Sequence, residues 1–141
     1  MAPIVAVLDT NVVVSAFINP GGPPGRILAG LGRRAFIPAY DARVVTEYRD
    51  VLNRPRFGLD PNDVDHFIEG FMRFGWAVEP GVWTEPMIDE SDRVFVEVAR
   101  GISALLVTGN TRHFPVEPWV ISPSSFWTLL EGRSRDAYNN L

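Results

Sequence analysis

The sequence predicts an α/β fold, a three-layer sandwich whose mostly parallel central sheet carries helices on both faces. Short, fully apolar runs at residues 4–8 and 104–107 alternate with amphipathic stretches whose apolar positions recur at helical spacing. Both runs end on polar groups, Asp9-Thr10-Asn11 and Thr108-Gly109-Asn110. The C-terminal ends of strands are where open parallel sheets keep their sites.

After the first strand, residues 11–18 read as a helix that Thr10 or Asn11 can cap and that Asn19-Pro20-Gly21-Gly22-Pro23-Pro24 stops. Its Val12-Val13-Val14 run has poor helix propensity, so burial must hold it. A second helix opens at Pro23 or Pro24, where proline fits the first turn, and runs to Leu31. Residues 35–38 form a short strand. Residues 41–52 are the next helix, with Val44, Val45, Tyr48, Val51 and Leu52 as its apolar stripe. Glu47 lies on or beside that stripe, whereas Arg43, Arg49 and Asp50 lie away from it.

Asp60 or Asn62 caps a further helix bearing Val64, Phe67, Ile68, Phe71 and Met72, and Gly75 ends it. A short strand at 76–78 leads into a polar, proline-containing loop. Ser91 or Asp92 then opens a helix to Ile102, with Phe95, Val96, Val98, Ala99 and Ile102 toward the core. Asp92 falls on that same face, at the end where the helix dipole favours a carboxylate. Strands at 104–108 and 119–122 follow, then a closing helix at 123–130 with a cap at Ser124 or Ser125. Residues 1–131 thus read as one domain and 132–141 as a polar C-terminal tail, with no internal repeat or low-complexity linker.

The chain has 141 residues, 46% hydrophobic and 21% charged, enough to bury one core. No segment approaches the roughly 20 apolar residues that span a bilayer, and no signal peptide is evident at the N-terminus, so a cytoplasmic protein is expected. The absence of cysteine removes disulfides and thiolate chemistry, and two histidines do not make an all-histidine metal site. Any metal must be a hard cation held by oxygen. A net charge of −4 argues against binding nucleic acid by bulk electrostatics but leaves room for a local basic surface. All 13 basic residues are arginine, the better fork for phosphates, although genome composition accounts for this better than function does.

Four oxygen-bearing side chains, Asp9, Glu47, Asp92 and Asn110, sit where this fold carries them toward one end of the sheet. Clustered carboxylates repel unless protonated or joined by a cation. Mg²⁺ or Mn²⁺ suits carboxylate and amide oxygens, and such an ion supports in-line displacement at phosphorus by a metal-activated water. Phosphodiester hydrolysis is therefore the natural reaction class.

These residues stand in motifs that resemble the PIN domain nucleases, and within them the bacterial VapC-like toxins of toxin-antitoxin pairs. The resemblance runs from Val7-Leu8-Asp9-Thr10-Asn11-Val12 with Ser15-Ala16, through Pro20-Gly21-Gly22-Pro23, Glu47-Tyr48-Arg49-Asp50-Val51-Leu52 and Arg54-Pro55-Arg56-Phe57. It continues in Asp89-Glu90-Ser91-Asp92 with Phe95, Val107-Thr108-Gly109-Asn110, and Ile121-Ser122-Pro123 with Phe126. It implies a PIN-like fold and a Mg²⁺- or Mn²⁺-dependent endoribonuclease. Asp9, Asp92 and Glu47 would be metal ligands, Asn110 would complete the catalytic set, and Asn11, Thr108 and Ser15 would support them. Arg54, Arg56 and Arg112 are candidate RNA contacts, and a cognate antitoxin and a homodimer are the implied partners. The chain departs from the family at Asn110, where many PIN nucleases carry aspartate; an amide still ligates through oxygen but adds no charge.

Competing readings exist for several residues. Asp89 is the alternative acid for the pocket; Asp92 is preferred because it lies on the core-facing side of its helix. His113, near Asn110, reads as a surface histidine rather than a general base. At the level of the protein, a PIN-like module that binds RNA or an antitoxin without cleavage is the alternative. A receiver-like phosphoacceptor at Asp9 is a third, against which stands the absence of any lysine.

Overall fold

The computed structural model describes residues 2–139. Five strands, β1 (Val5–Leu8), β2 (Ile37–Tyr40), β3 (Trp76–Ala77), β4 (Leu105–Val107) and β5 (Val120–Ile121), form one sheet in the order β3-β2-β1-β4-β5. Every pairing is parallel. The helices are α1 (Thr10–Ile18), α2 (Pro23–Gly32), α3 (Ala42–Leu52), α4 (Pro61–Phe74), α5 (Arg93–Ile102) and α6 (Pro123–Asn139). The expected α/β sandwich is therefore present, with a sheet that is wholly parallel. No helix among the described residues is long and apolar enough to cross a membrane.

The chain steps outward from β1 to β2 to β3 through α1–α4, and α5 then carries it back to β4 on the far side of β1. Right-handed crossovers reverse face when the chain reverses direction, and α3 also reaches α5 through the Arg43–Glu97 pair at 3.0 Å. That reversal also makes the gap between β1 and β4 the topological switch point, outside whose carboxyl ends a crevice opens.

Burial explains the elements whose local propensity is poor. Val12 and Val13 of α1 are buried, and β1 and β4 contribute Ala6, Val7, Leu8, Leu106 and Val107 with no exposed surface. Tyr48, Phe67 and Phe71 tie α3 to α4 through edge-on and tilted ring contacts 5.2–6.4 Å between centroids, geometry that suits aromatic quadrupoles.

Four local expectations are corrected. The second strand lies at Ile37–Tyr40, not 35–38. Pro38, taken as its end, sits inside, because the Ile37 amide donates to Ile4 on the β1 side and the next position faces β3, which begins only opposite Ala39. A missing donor there costs no ladder bond. The last helix does not stop at residue 130, and the stretch read as a polar tail is helical through Asn139; residues 140 and 141 lie outside the described residues. Gly132, read as the first residue of the tail, is an interior glycine, which weakens a helix by about 1 kcal/mol without ending it. The cap of α6 is Ser122, whose Oγ accepts from the Ser125 amide at 3.1 Å, and the N-cap position of α1 is Asp9, with no side-chain capping bond, rather than Thr10 or Asn11.

Candidate functional site

The switch point is closed by hydrogen bonds between the ends of β1 and β4. The Asp9 amide donates to the Val107 carbonyl at 2.9 Å, and the Thr108 hydroxyl donates to Asp9 Oδ2 at 2.8 Å. Asn11 Oδ1 accepts from the Gly109 amide at 3.2 Å, and the Asn110 amide donates to Thr108 Oγ1 at 3.0 Å. Asn11 and Thr108 thus hold the two strand ends in register around the Asp9 carboxylate. From below, the buried Tyr48 hydroxyl donates to the Leu8 carbonyl.

Above these strand ends lies a cleft of about 420 Å³ whose lining includes Asp9, Glu47, Asp92 and Asn110. The four residues singled out from sequence are brought together. Ser15, Asn11 and Arg56 also line it. Arg54 does not; it pairs with Asp50 at 3.3 Å along the surface of α3. Arg112 lines a neighbouring hollow with Pro115 and Val116 instead.

Three further residues were not assigned to the site from sequence. Thr10 donates to Glu47 Oε2 at 2.8 Å and so fixes the α3 carboxylate against the start of α1. Thr10 and Glu47 are 37 positions apart, and the only sequence hint was an acid beside an apolar stripe. His113, read as a plain surface histidine, lines the cleft, and its Nδ1 stands 2.8 Å from the Asn110 side-chain nitrogen. With that lone pair accepting, Asn110 keeps its carbonyl oxygen for the cleft. Asp89 also reaches the cleft, but Oδ1 is engaged by the Ser91 amide at 2.9 Å and hydroxyl at 2.7 Å. Asp92, at the start of α5, makes no such capping bond.

The electrostatics follow from this packing. Burial pushes the Asp9 carboxyl up to about 6; the Thr108 hydroxyl opposes the rise, the Glu47 charge adds to it, and the amides of Thr10 and Asn11 oppose it again. Asp92 is pushed up to about 7 by burial and then by the charges of Asp9, Asp89 and Glu47, with His113 opposing. Burial, and behind it the charges of Asp9 and Glu47, raises the Tyr48 hydroxyl well above its ordinary value, so it stays a donor. The exposed Asp89 is held below the usual carboxylate range by its bonds to Ser91.

A cleft that keeps two acids partly protonated near neutral pH favours a bound cation. Among the described residues, no three acidic or histidine side chains are gathered tightly enough to hold an ion by themselves. The available donors are those of an open site: carboxylates and an amide oxygen, with water left to complete the shell. Mg²⁺ and Mn²⁺ accept such a set.

Residues 5–112 match the family model described as the PIN domain. Over 110 residues the chain is 27% identical to an uncharacterized protein, MJ1680, of Methanocaldococcus jannaschii, spanning 76% of this chain and 71% of that one. Its fold is similar to a chain in the crystal structure of VapBC2 from Rickettsia felis bound to a DNA fragment from their promoter. That match has a TM-score of 0.56 and 16% identity, and covers 84% of this chain and 97% of the other. With the acid-lined cleft at its switch point and a family match over most of its length, this chain belongs to the PIN domain family.

Proposed function

We propose that this protein is a Mg²⁺- or Mn²⁺-dependent endoribonuclease, the toxin of a toxin-antitoxin pair, acting in the cytoplasm as a homodimer. The observation that carries the reading is the convergence of Asp9, Glu47, Asp92 and Asn110 on one cleft at the β1–β4 switch point. Membership of the PIN family and the likeness of the fold to a chain of a VapBC2 structure support the choice of nuclease and of antitoxin partner.

In this reading Asp9 and Asp92 are the principal ligands. A bound divalent cation supplies positive charge to a phosphoryl oxygen and to the departing oxygen, and makes a water nucleophilic. Glu47, held by Thr10, is a further ligand or takes the water proton as the attack proceeds. Asn110 offers its amide oxygen to the cation or to the RNA, oriented by His113. Arg56, which lines the cleft, would take a phosphate next to the scissile one, where guanidinium forks bind well. Thr108 and Tyr48 touch no substrate; they hold the β1 end that presents Asp9.

One observation favours a second reading, a catalytically weak module that sequesters RNA or an antitoxin. The position after Thr108-Gly109 is the uncharged Asn110. Titration with Mn²⁺ separates the two, because a cleft without measurable affinity cannot run the hydrolysis. Growth on expression tests the biological role: the wild-type chain is expected to arrest its host and Asp9→Asn to relieve the arrest. Equal arrest by both would contradict the toxin assignment.

A further inference from the structure

We propose that the opposite end of the sheet carries a second site, a basic groove that binds single-stranded nucleic acid through its phosphates and stacks bases on aromatic rings. A cavity of about 490 Å³ opens at the N-terminal ends of β1, β2 and β3, beside Ile4, Ile37 and Trp76. Arg34, Arg73 and Arg133 line it, and no acid does. An adjoining cavity of about 480 Å³ shares Ala35 and adds Arg33, Arg135 and Trp127, with Glu131 as its one acid.

Five of the 13 arginines of a chain with net charge −4 therefore meet on one face. Among the described residues the arginines in ion pairs are Arg43, Arg54 and Arg93, and none of these five is among them. Arg133 donates to a neutral partner, the Ala2 carbonyl, and Arg34 lies 5.3 Å from the centre of the Phe74 ring.

Helix dipoles explain part of the cluster. Arg33 and Arg34 follow α2, and Arg73 is in the last turn of α4, where cations are favoured. That effect does not explain why α6 brings Arg133 to the first cavity and Arg135 to the adjoining one. Nor does it explain Arg34 in the left-handed region, at φ 56°, where glycine is the usual choice. Its amide and that of Ala35 close the end of α2 on the carbonyls of Leu31 and Gly30 at 3.0 and 2.9 Å.

The aromatic rings decide between an acidic peptide and a nucleic acid. Phe74 and the 42% exposed Trp76 lie among the guanidinium groups of the first cavity, and Trp127 lies in the second. Interleaved cations and flat rings are what a single strand of phosphates and bases requires, and carboxylates have no use for the rings. The groove is separate from the acidic cleft. Ile4 begins at one and Asp9 ends at the other, about 17 Å apart at roughly 3.3 Å per residue.

Fluorescence anisotropy of a labelled oligouridylate about a dozen nucleotides long, in chelator so that no cleavage intervenes, tests the proposal independently of the nuclease reading. Arg33, Arg73 and Arg135 are exposed, so replacing all three by alanine leaves the core intact. At about 0.1 M salt this triple variant is expected to bind at least roughly tenfold more weakly, with a salt slope lower by about 2. Trp76→Ala is expected to bind about tenfold more weakly with an unchanged slope. Binding by the triple variant equal to wild type overturns the proposal, as does a loss that follows only Asp92→Asn in the cleft. A polyglutamate peptide that binds with the same arginine dependence, while the oligouridylate does not bind, overturns the choice of ligand.

Discussion

Asp9 and Asp92 hold protons more tightly in the folded protein than in the unfolded chain, since burial raises both above their ordinary 3.8, helped by the charge of Glu47 on Asp9 and by those of Asp9, Asp89 and Glu47 on Asp92. A raised carboxyl contributes stability below the unfolded value and loses it as pH climbs through the folded one. That loss falls between about pH 4 and 6 for Asp9, and extends to about 7 for Asp92. Without metal, Asp9→Asn is therefore expected to be more stable than wild type by about 2 to 3 kcal/mol at pH 8, with no difference near pH 4. Thermal unfolding across pH measures it, and a gap that does not change with pH contradicts it. Mn²⁺ affinity runs the other way, rising over the same window as the competing protons leave. Asn110→Asp adds a further acid to the cleft: it is expected to tighten Mn²⁺ binding and speed cleavage in metal, and to lower the metal-free melting temperature. At this scale the sequence was legible wherever an unusual residue type marked a position, as with Asp9 ending an apolar run or Glu47 beside an apolar stripe. It was silent on partnerships. Nothing local tells that Thr10 grips Glu47 or that His113 turns toward Asn110, because those contacts exist only once α1, α3 and the β4 end have met.

Among elements, β1 matters most, and two side chains from elsewhere hold its end. Tyr48 on α3 donates to the Leu8 carbonyl, so Tyr48→Phe leaves a buried acceptor short of a partner. A loss of about 1 to 2 kcal/mol in denaturant unfolding is expected, and no change would mean that the bond does not support the strand. Thr108→Val keeps shape and removes the hydroxyl that lowers the Asp9 value. The pH profile of Mn²⁺ binding is then expected to shift upward, a change that a merely structural role would not produce. Arg43, which bridges to Glu97 at 3.0 Å, links the two helices that carry Glu47 and Asp92. Alternation of apolar runs with amphipathic stretches revealed nearly every element. The exceptions were boundaries where one residue type carried two meanings. Pro38 reads as the end of its strand and Gly132 as the start of a tail, yet the first faces a side of β2 that has no ladder bond to lose and the second is carried within α6.

For the whole molecule, the strand order β3-β2-β1-β4-β5 is what turns scattered acids into a site. Strand order is not written in any one segment, and only the side-by-side placement of β1 and β4 puts Asp9 and Asn110 at one crevice. The same order leaves the other end of the sheet to the arginines, so the fold is acidic at its carboxyl end and basic at its amino end. The account rests on the acidic end being a metal-dependent RNA-cleaving centre. Its most direct test is cleavage of single-stranded RNA by the pure protein in Mn²⁺, wild type against Asp9→Asn at pH 8. Loss of outer partners alone typically costs ten- to a hundredfold, so replacing a principal ligand is expected to slow cleavage by more than about a hundredfold with the fold intact. Undiminished cleavage by a folded Asp9→Asn protein would contradict the account.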